Sequence, residues 1–325
     1  MTQRLSGGPV LVVTKELDPA ADLVVDELAL RRVPVMRFDM GDFPSSLGLS
    51  VEHAAAPWAG VLADAHRSVR LEEVRAVYYR RPRLPTVSAE LREPHRTWAN
   101  EQALAGLLGT LYALPATWVN RPDVDGIASH KQGQLPVAAS HGLRTPRSLV
   151  TTDPEAGRRF CREVGGQVIC KPLMGGPLAY PDGRRAGVPT HLIDPDDIDD
   201  TVSLTAHLFQ EWVPKAHEVR LTVVGEEVFA AEIHAGSDAA RVDWRSDYDS
   251  LSYDVCTVPD DVRAGVLGWM KHFRLNFGAF DFAVTPAGAW VMFECNPSGE
   301  WSWIQNRTGL PIAAHIADLL SGEGP

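Results

Sequence analysis

Phe277-Gly278-Ala279-Phe280-Asp281-Phe282-Ala283-Val284 and Ala289-Trp290-Val291-Met292-Phe293-Glu294-Cys295-Asn296-Pro297 flank the turn Pro286-Ala287-Gly288 and read as two alternating strands of a hairpin. A symmetric register pairs Phe280 with Cys295, Phe282 with Phe293 and Val284 with Val291, which makes one face wholly apolar. The same register sets Asp281 opposite Glu294 on the other face, with Asn296 on that same side. Like charges directly opposite one another are destabilising, so a positive species belongs between them. Carboxylate and amide oxygens without thiol or imidazole form a hard-oxygen site of the kind that takes Mg²⁺, commonly shared with substrate phosphates. The plainer reading is a solvated polar face. The aromatic segment Gly299-Glu300-Trp301-Ser302-Trp303, directly after the carboxylates, speaks for a site.

If Mg²⁺ holds phosphates, lysines and free backbone N–H groups should meet the remaining charge. Lys171 ends an apolar strand just before Met174-Gly175-Gly176-Pro177, where Gly175 and Gly176 let backbone donors approach an anion. Lys131 opens the helix that stops at Gly142. Either lysine alone is an ordinary surface residue; together, upstream of an oxygen-only hairpin, they suggest a phosphate site. Leu208-Phe209-Gln210-Glu211-Trp212-Val213-Pro214 joins two regions, and a hinge of this kind is a frequent ligand site, here for an adenine edge. Glu218, Arg220 and Thr222 alternate with Val219, Leu221 and Val223, so one strand face is apolar and the other carries an acid and a cation. Arg220 then suits transferring phosphate and Glu218 a ribose, with a surface ion pair as the alternative.

The 325 residues suit two or three subdomains around a cleft. Thirty-one basic against forty-two acidic side chains give a net charge of −11, which argues against nucleic acid and favours a basic peptide segment as guest, or simply solubility. Cys161, Cys170, Cys256 and Cys295 form no C-x-x-C pair and read as reduced core residues. Met1 to Val10 shows no targeting pattern, and no run approaches the ~20 apolar residues of a membrane span, so the expected location is the cytoplasm. His130, His207 and His234 show no metal spacing and read as ordinary residues.

The strand Pro9 to Thr14, the Asp18-Pro19 helix start and the strand Val33 to Phe38 make a βαβ opening, hence a parallel sheet over roughly the first 125 residues. No G-x-G-x-x-G follows the first strand. Val74 to Tyr79 continues the sheet, and Leu104, Leu107, Leu108 and Leu111 give a helix its buried face. The expected fold is α/β with α+β lobes, divided at 1–125, 126–206 and 207–325, the last an antiparallel lobe.

The ordered series Val77-Tyr78-Tyr79-Arg80-Arg81-Pro82, His130-Lys131, Ile169-Cys170-Lys171-Pro172, Phe209 to Pro214, Asp243-Trp244-Arg245, Gly278 to Phe282 and Phe293 to Pro297 with Trp301 and Trp303 resembles the ATP-grasp superfamily. It is more similar still to its ribosomal-peptide maturase branch, the microviridin-type or graspetide synthetases, over nearly the whole chain. The resemblance implies an N-terminal pre-ATP-grasp domain, ATP held by Lys131, Lys171, Gly175, Gly176, the hinge Gln210, Glu211, Trp212 and Val213, and Glu218. It also implies Mg²⁺ on Asp281, Glu294 and Asn296, and Lys171, Arg220 and Arg245 near an acyl-phosphate. Gly133 and Pro136 are poor helix-interior residues and put the aim of Lys131 in question.

The implied partner is a ribosomal precursor peptide with a leader and an acidic core, and the implied assembly a homodimer. Arg80 and Arg81 suit recognition of the acidic core or, equally, domain packing. The implied reaction joins Asp or Glu side chains of that peptide to Ser or Thr hydroxyls, as esters, or to Lys amines, as amides. The rivals are an ATP-grasp ligase that adds an amino acid to a peptide or protein terminus, and a nucleotide-binding regulator without chemistry.

Overall fold

In the computed structural model of the chain, residues 7–54, 58–176 and 178–322 are described. Residues 1–6 of the segment read for a targeting signal, and Pro177 of the glycine loop, lie outside the described residues. Among the described residues no helix is long and apolar enough to cross a membrane.

The opening βαβ unit forms as the sequence suggests. β1 (Val10–Val13) is followed by α1 (Pro19–Leu30), capped by the Asp18 carboxylate accepting from the Ala21 N–H, and by β2 (Val35–Phe38). Three short strands, β3 (Gly48–Glu52), β4 (Ala59–Ala63) and β5 (Ser68–Arg70), then make a separate antiparallel sheet. That sheet was not expected; its strands are short and mostly exposed, and the apolar row they turn to the core, Leu49, Leu62 and Val69, leaves only one or two apolar positions per strand to read. β6 (Ala76–Tyr79), α2 (His95–Tyr112) and β7 (Thr117–Val119) complete a parallel sheet of order β2-β1-β6-β7. β1 is buried on both faces, as a central parallel strand must be. Leu11 and Val13 point to a core with Leu107 and Leu111 of α2, while Val10 and Val12 point to a second core.

That second core is shared across the molecule. It joins α1 to residues from the far end of the chain, Phe277, Ala279, Trp301, Ile312 and Ile316. Asn120, just past β7, makes the polar counterpart of this junction. Its amide donates to the carbonyls of Phe277 (2.8 Å) and Pro297 (2.7 Å) and accepts from the N–H groups of Asn276 (2.9 Å) and Phe277 (3.1 Å).

Next come α3 (Pro122–Ala128), α4 (Lys131–Ser140), β8 (Ser148–Thr151), α5 (Pro154–Val164), β9 (Val168–Lys171), β10 (Leu178–Ala179), β11 (Arg185–Ala186), β12 (His191–Ile193) and β13 (His207–Glu211). The central sheet has the order β12-β9-β13-β8 and is wholly antiparallel; Phe160 of α5 and Phe209 of β13 lie in its core. Because β13 pairs with both β8 and β9, the sheet runs on to Glu211, past the boundary expected at 206. α4 stays helical across Gly133 and Pro136, and it packs on the last sheet rather than the central one. Gln134, one turn beyond Lys131, fixes it there: its side chain donates to the Cys295 carbonyl (2.8 Å) and accepts from the Cys295 N–H (2.9 Å).

The last lobe consists of β14 (His217–Val224), β15 (Glu227–Ala235), α6 (Asp238–Val242), β16 (Leu251–Val255), α7 (Asp260–Phe273), β17 (Phe277–Val284), β18 (Trp290–Asn296), α8 (Ser302–Thr308) and α9 (Ile312–Ser321). Its sheet, β16-β15-β14-β17-β18, is antiparallel throughout. The hairpin register corrects the sequence reading beyond the carboxylates. Phe280 faces Cys295 and Asp281 faces Glu294, but a β-bulge follows, so Phe282 faces Met292 and Val284 faces Trp290. The residue left over is Phe293, and Met292 takes the core place expected of it.

Asn120 is 3% exposed, and truncating it strands four backbone groups at the junction. Asn120→Ala is expected to lower unfolding stability by about 2–4 kcal/mol, as read by urea denaturation.

Candidate functional site

A cleft of about 650 Å³ lies between the central and last sheets. Its floor is set by register. Arg220 of β14 lies beside Asp281 of β17, which lies beside Glu294 of β18, and strand alternation turns all three side chains to the same face. The opposite face of these strands carries Val219, Leu221, Phe280 and Phe282 in the core over α7.

The positive species required between the two carboxylates is supplied by the protein. Arg245 Nη2 donates to Asp281 Oδ2 at 2.8 Å and sits 3.9 Å from Glu294 Oε1. Arg220 Nη1 is 3.2 Å from Asp281 Oδ1, yet neither atom makes an angled hydrogen bond, so a buried donor and a buried acceptor remain free at the centre of the site. Lys131 Nζ lies 3.0 Å from Glu294 Oε2 and donates to the Pro172 carbonyl at 2.8 Å, tying the last sheet to the loop after β9. Asn296 donates to Glu294 Oε1 at 3.4 Å. Burial alone would raise the Glu294 pKa, but Lys131, Lys171 and Arg245 together hold it down to about 2.

Aromatic rings hold the arginines from behind. Arg245 lies 4.5 Å from the Trp244 ring centre, and Arg220 lies 5.8 Å from both Trp244 and Trp303. Trp301 is fully buried in the core shared with the N-terminal domain. The aromatic segment after the carboxylates thus supports the site with one indole and the domain junction with the other.

Toward the central lobe, Lys171 is pulled down to about 8, first by burial and then by Lys131, against the pull of Glu294. Its ammonium lies 5.8 Å from the Phe293 ring centre, and that of Lys215 lies 5.7 Å from the same ring. The bulge that displaces Phe293 from the core therefore inserts it between two lysines in the cleft. Lys215 pairs with Glu218, whose pKa burial pushes up while Lys215 opposes the rise. Gly175 and Gly176 edge the cleft, and Gly176 adopts φ 131°, a conformation that favours glycine. At the hinge, Glu211 N–H donates to the Arg147 carbonyl and Trp212 N–H to the Gln167 carbonyl, both at 2.9 Å. Gln210 Oε1 and Trp212 Nε1 are buried without a partner.

Lys131, Lys171, Gly175, Gly176, Gln210, Glu211, Trp212, Val213, Glu218, Arg220, Arg245, Asp281, Glu294, Asn296 and Arg81 all line this one cleft. Arg80 does not. Its guanidinium is buried and bonded at 2.8 Å to both Asp18 and Glu300, so of the two readings of Arg80 the packing role is the one its contacts serve. Arg81 is half-exposed at the rim, bonded to the Ser298 carbonyl (3.1 Å) and Glu300 (3.3 Å). Lys215, Phe293 and Gln134 are additions to the sequence reading. Gln134 lies at helical spacing from Lys131, and Phe293 stood in the sequence reading as a core residue of the hairpin.

The donor set fits the groups it was read for. Asp281, Glu294 and Asn296 offer only hard oxygens on one face, with Asp281 Oδ1 unpartnered, which suits Mg²⁺ once Arg245 gives way. Lys131, Lys171, Lys215 and Arg220 converge on the space a polyphosphate needs.

Residues 9–125 match the family model of the MvdD pre-ATP grasp domain. Over 98% of both chains, the fold matches a Chryseobacterium gregarium RiPP-associated ATP-grasp ligase in complex with ADP and a leader and core peptide (TM-score 0.90, 28% identity). It also matches the macrocyclase MdnC of Microcystis aeruginosa MRC, bound with the precursor peptide MdnA (TM-score 0.85, 28% identity), over 97% of this chain and 100% of that one. A carbamoyl phosphate synthase large chain of Methanothrix thermoacetophila is 22% identical over 62% of this chain, which spans only 19% of that protein. Fold and site thus define an ATP-grasp enzyme of the ligase class. The match over residues 9–125 and the likeness to these ligases support the RiPP maturase branch of that superfamily.

The Glu294 carboxyl titrates near 2 in the folded chain against 4.5 when unperturbed, so its stabilising contribution is complete above pH 4.5 and is lost as pH falls from 4.5 toward 2. Between those values, melting temperature is expected to fall less steeply with pH in Glu294→Gln than in the parent, as read by calorimetry.

Proposed function

We propose that the protein is an ATP-dependent peptide macrocyclase acting on Asp or Glu side chains of a ribosomal precursor peptide. The observation that carries this reading is the convergence of Arg220, Arg245, Lys131 and Lys171 on a pair of carboxylates within a cleft that two sheets share. Such an array neutralises a transferring phosphoryl group by position and charge.

In the proposed reaction, a peptide carboxylate oxygen attacks the γ-phosphorus of ATP, the bond to the bridging oxygen breaks and ADP leaves. The resulting acyl-phosphate carbonyl is attacked by a Ser or Thr hydroxyl, or a Lys amine, of the same peptide. Phosphate departs, the nucleophile loses its proton, and an ester or amide closes the ring. Mg²⁺ on Asp281, Glu294 and Asn296 would supply charge neutralisation at the phosphates. Lys131 and Lys171 hold the phosphates from the helix and the central sheet. Arg220, aimed from beneath with an unused Nε–H and Nη1–H, stabilises charge on the transferring group, and Arg245, free to leave Asp281, does so from above. Arg81 at the rim is the cation for the acidic core peptide. On this reading the location is cytoplasmic and the assembly a homodimer, as the family resemblance implies.

Incubated with Mg-ATP and an acidic precursor peptide carrying leader and core, the protein is expected to remove one water per cross-link, as weighed by mass spectrometry. Asp281→Asn should slow this by about 100-fold or more. A mass gain equal to an amino acid would identify a terminal tailing ligase instead, and no change without ADP formation a regulator.

Lys171, depressed to about 8, regains its proton beside a polyphosphate. ATP binding at pH 8 is therefore expected to take up protons and to weaken as pH rises. Calorimetry in buffers of different ionisation enthalpy reads the uptake, and Lys171→Met should abolish it.

A further inference from the structure

The back of the last sheet carries a second cluster of ligand-bearing side chains, unrelated to the cleft. Glu218 faces the cleft, so its neighbour His217 faces away from it. Glu232 and His234, two residues apart in β15, share the rear face with His217. The register pairs Val219 with Glu232 and Glu232 with Asp254, which aligns ligand-type side chains from β14, β15 and β16. Farther along this face, Val219, Leu221 and Ala230 are buried in the core over α7. The cluster therefore lies where the apolar face runs out toward solvent.

His217 and His234 lie ring to ring, with centroids 5.2 Å apart. Both point Nε2 at the one Glu232 carboxylate, His234 at 2.9 Å from Oε2 and His217 at 3.7 Å from Oε1. Asp254 Oδ2 lies 3.8 Å from His234 Nε2. One ligand atom from each of His217, Glu232 and His234 falls within 4.8 Å of the others. A tetrahedral ion with bonds of about 2.0–2.1 Å places its ligand atoms roughly 3.3–3.4 Å apart, within the span of these separations.

We propose that His217, Glu232 and His234, with Asp254 as the fourth ligand, form a binding site for a transition-metal dication of the Zn²⁺ class. Imidazole with carboxylate is a borderline donor set that suits Zn²⁺ or Co²⁺, unlike the oxygen-only set of the cleft. Two adjacent imidazoles competing for one carboxylate are poorly served by an ion pair, which satisfies one ring only. His234 has no second histidine at short sequence spacing because its partner lies on the preceding strand. A bound ion would cross-link the strand that leaves the hinge, the strand before the Arg245 segment and the strand after it.

The test uses the full chain, treated with chelator and titrated with Co²⁺ in the absence of ATP and Mg²⁺, with visible d–d absorption as the readout. One tetrahedral Co²⁺ per chain is expected, displaced by Zn²⁺. The band should be lost in His217→Gln and in His234→Gln, and the affinity should fall about tenfold or more in Glu232→Gln. It should persist in Asp281→Asn/Glu294→Gln, which removes the cleft carboxylates. Zn²⁺ should also raise the melting temperature of the parent and not that of His234→Gln. Absence of a band in the parent, or a band that survives both histidine substitutions, or one lost only with the cleft carboxylates, overturns the proposal. Should a histidine variant fail to fold by circular dichroism, Glu232→Gln decides: unchanged affinity there overturns it.

Discussion

Two carboxylates, Asp281 and Glu294, sit directly opposite one another on adjacent strands, and one of them is 4% exposed. A pair of like charges in that position is stable only if cations converge on it. Much of the rest of the architecture serves that demand. Arg220 comes from the neighbouring strand, Lys131 from a helix pinned to the hairpin by Gln134, Lys171 from the central sheet and Arg245 from the connection between β15 and β16. In the proposed reaction the same convergence receives the nucleotide phosphates, since cations gathered around buried carboxylates are also positioned for an incoming polyanion.

This arrangement couples the lobes electrostatically. Lys131 bonds both to Glu294 of the last sheet and to the Pro172 carbonyl of the central lobe, so one ammonium bridges the walls of the cleft. The N-terminal domain is joined by different means, a shared apolar core reinforced by Asn120 and by the buried Arg80 between Asp18 and Glu300. The junction beneath the cleft floor is thus well packed.

Arg245 has two roles that exclude each other. Its guanidinium neutralises Asp281 and approaches Glu294, the place where a dication would lie in the proposed reaction. Its stacking on Trp244 offers a resting position when the ion pair opens, so the guanidinium need not enter bulk water.

Local periodicity determined a good deal by itself. The βαβ opening, the leucine face of α2, the Asp281–Glu294 opposition and the two lysines at element ends all follow from alternation and capping, which depend on near neighbours in the chain. Tertiary structure decided the rest. The bulge at Phe293 depends on the packing of Met292 against α7, and α4 joins the last sheet through Gln134, whose partner lies far along the chain. Arg80 and Arg81 are chemically equal neighbours in sequence, just past β6, yet the fold buries one beside Asp18 and leaves the other at the cleft rim. The His217–His234 pair likewise exists only because two strands run side by side. Spacing along the chain encodes which face a residue occupies, whereas which residues meet across that face depends on contacts distant in sequence.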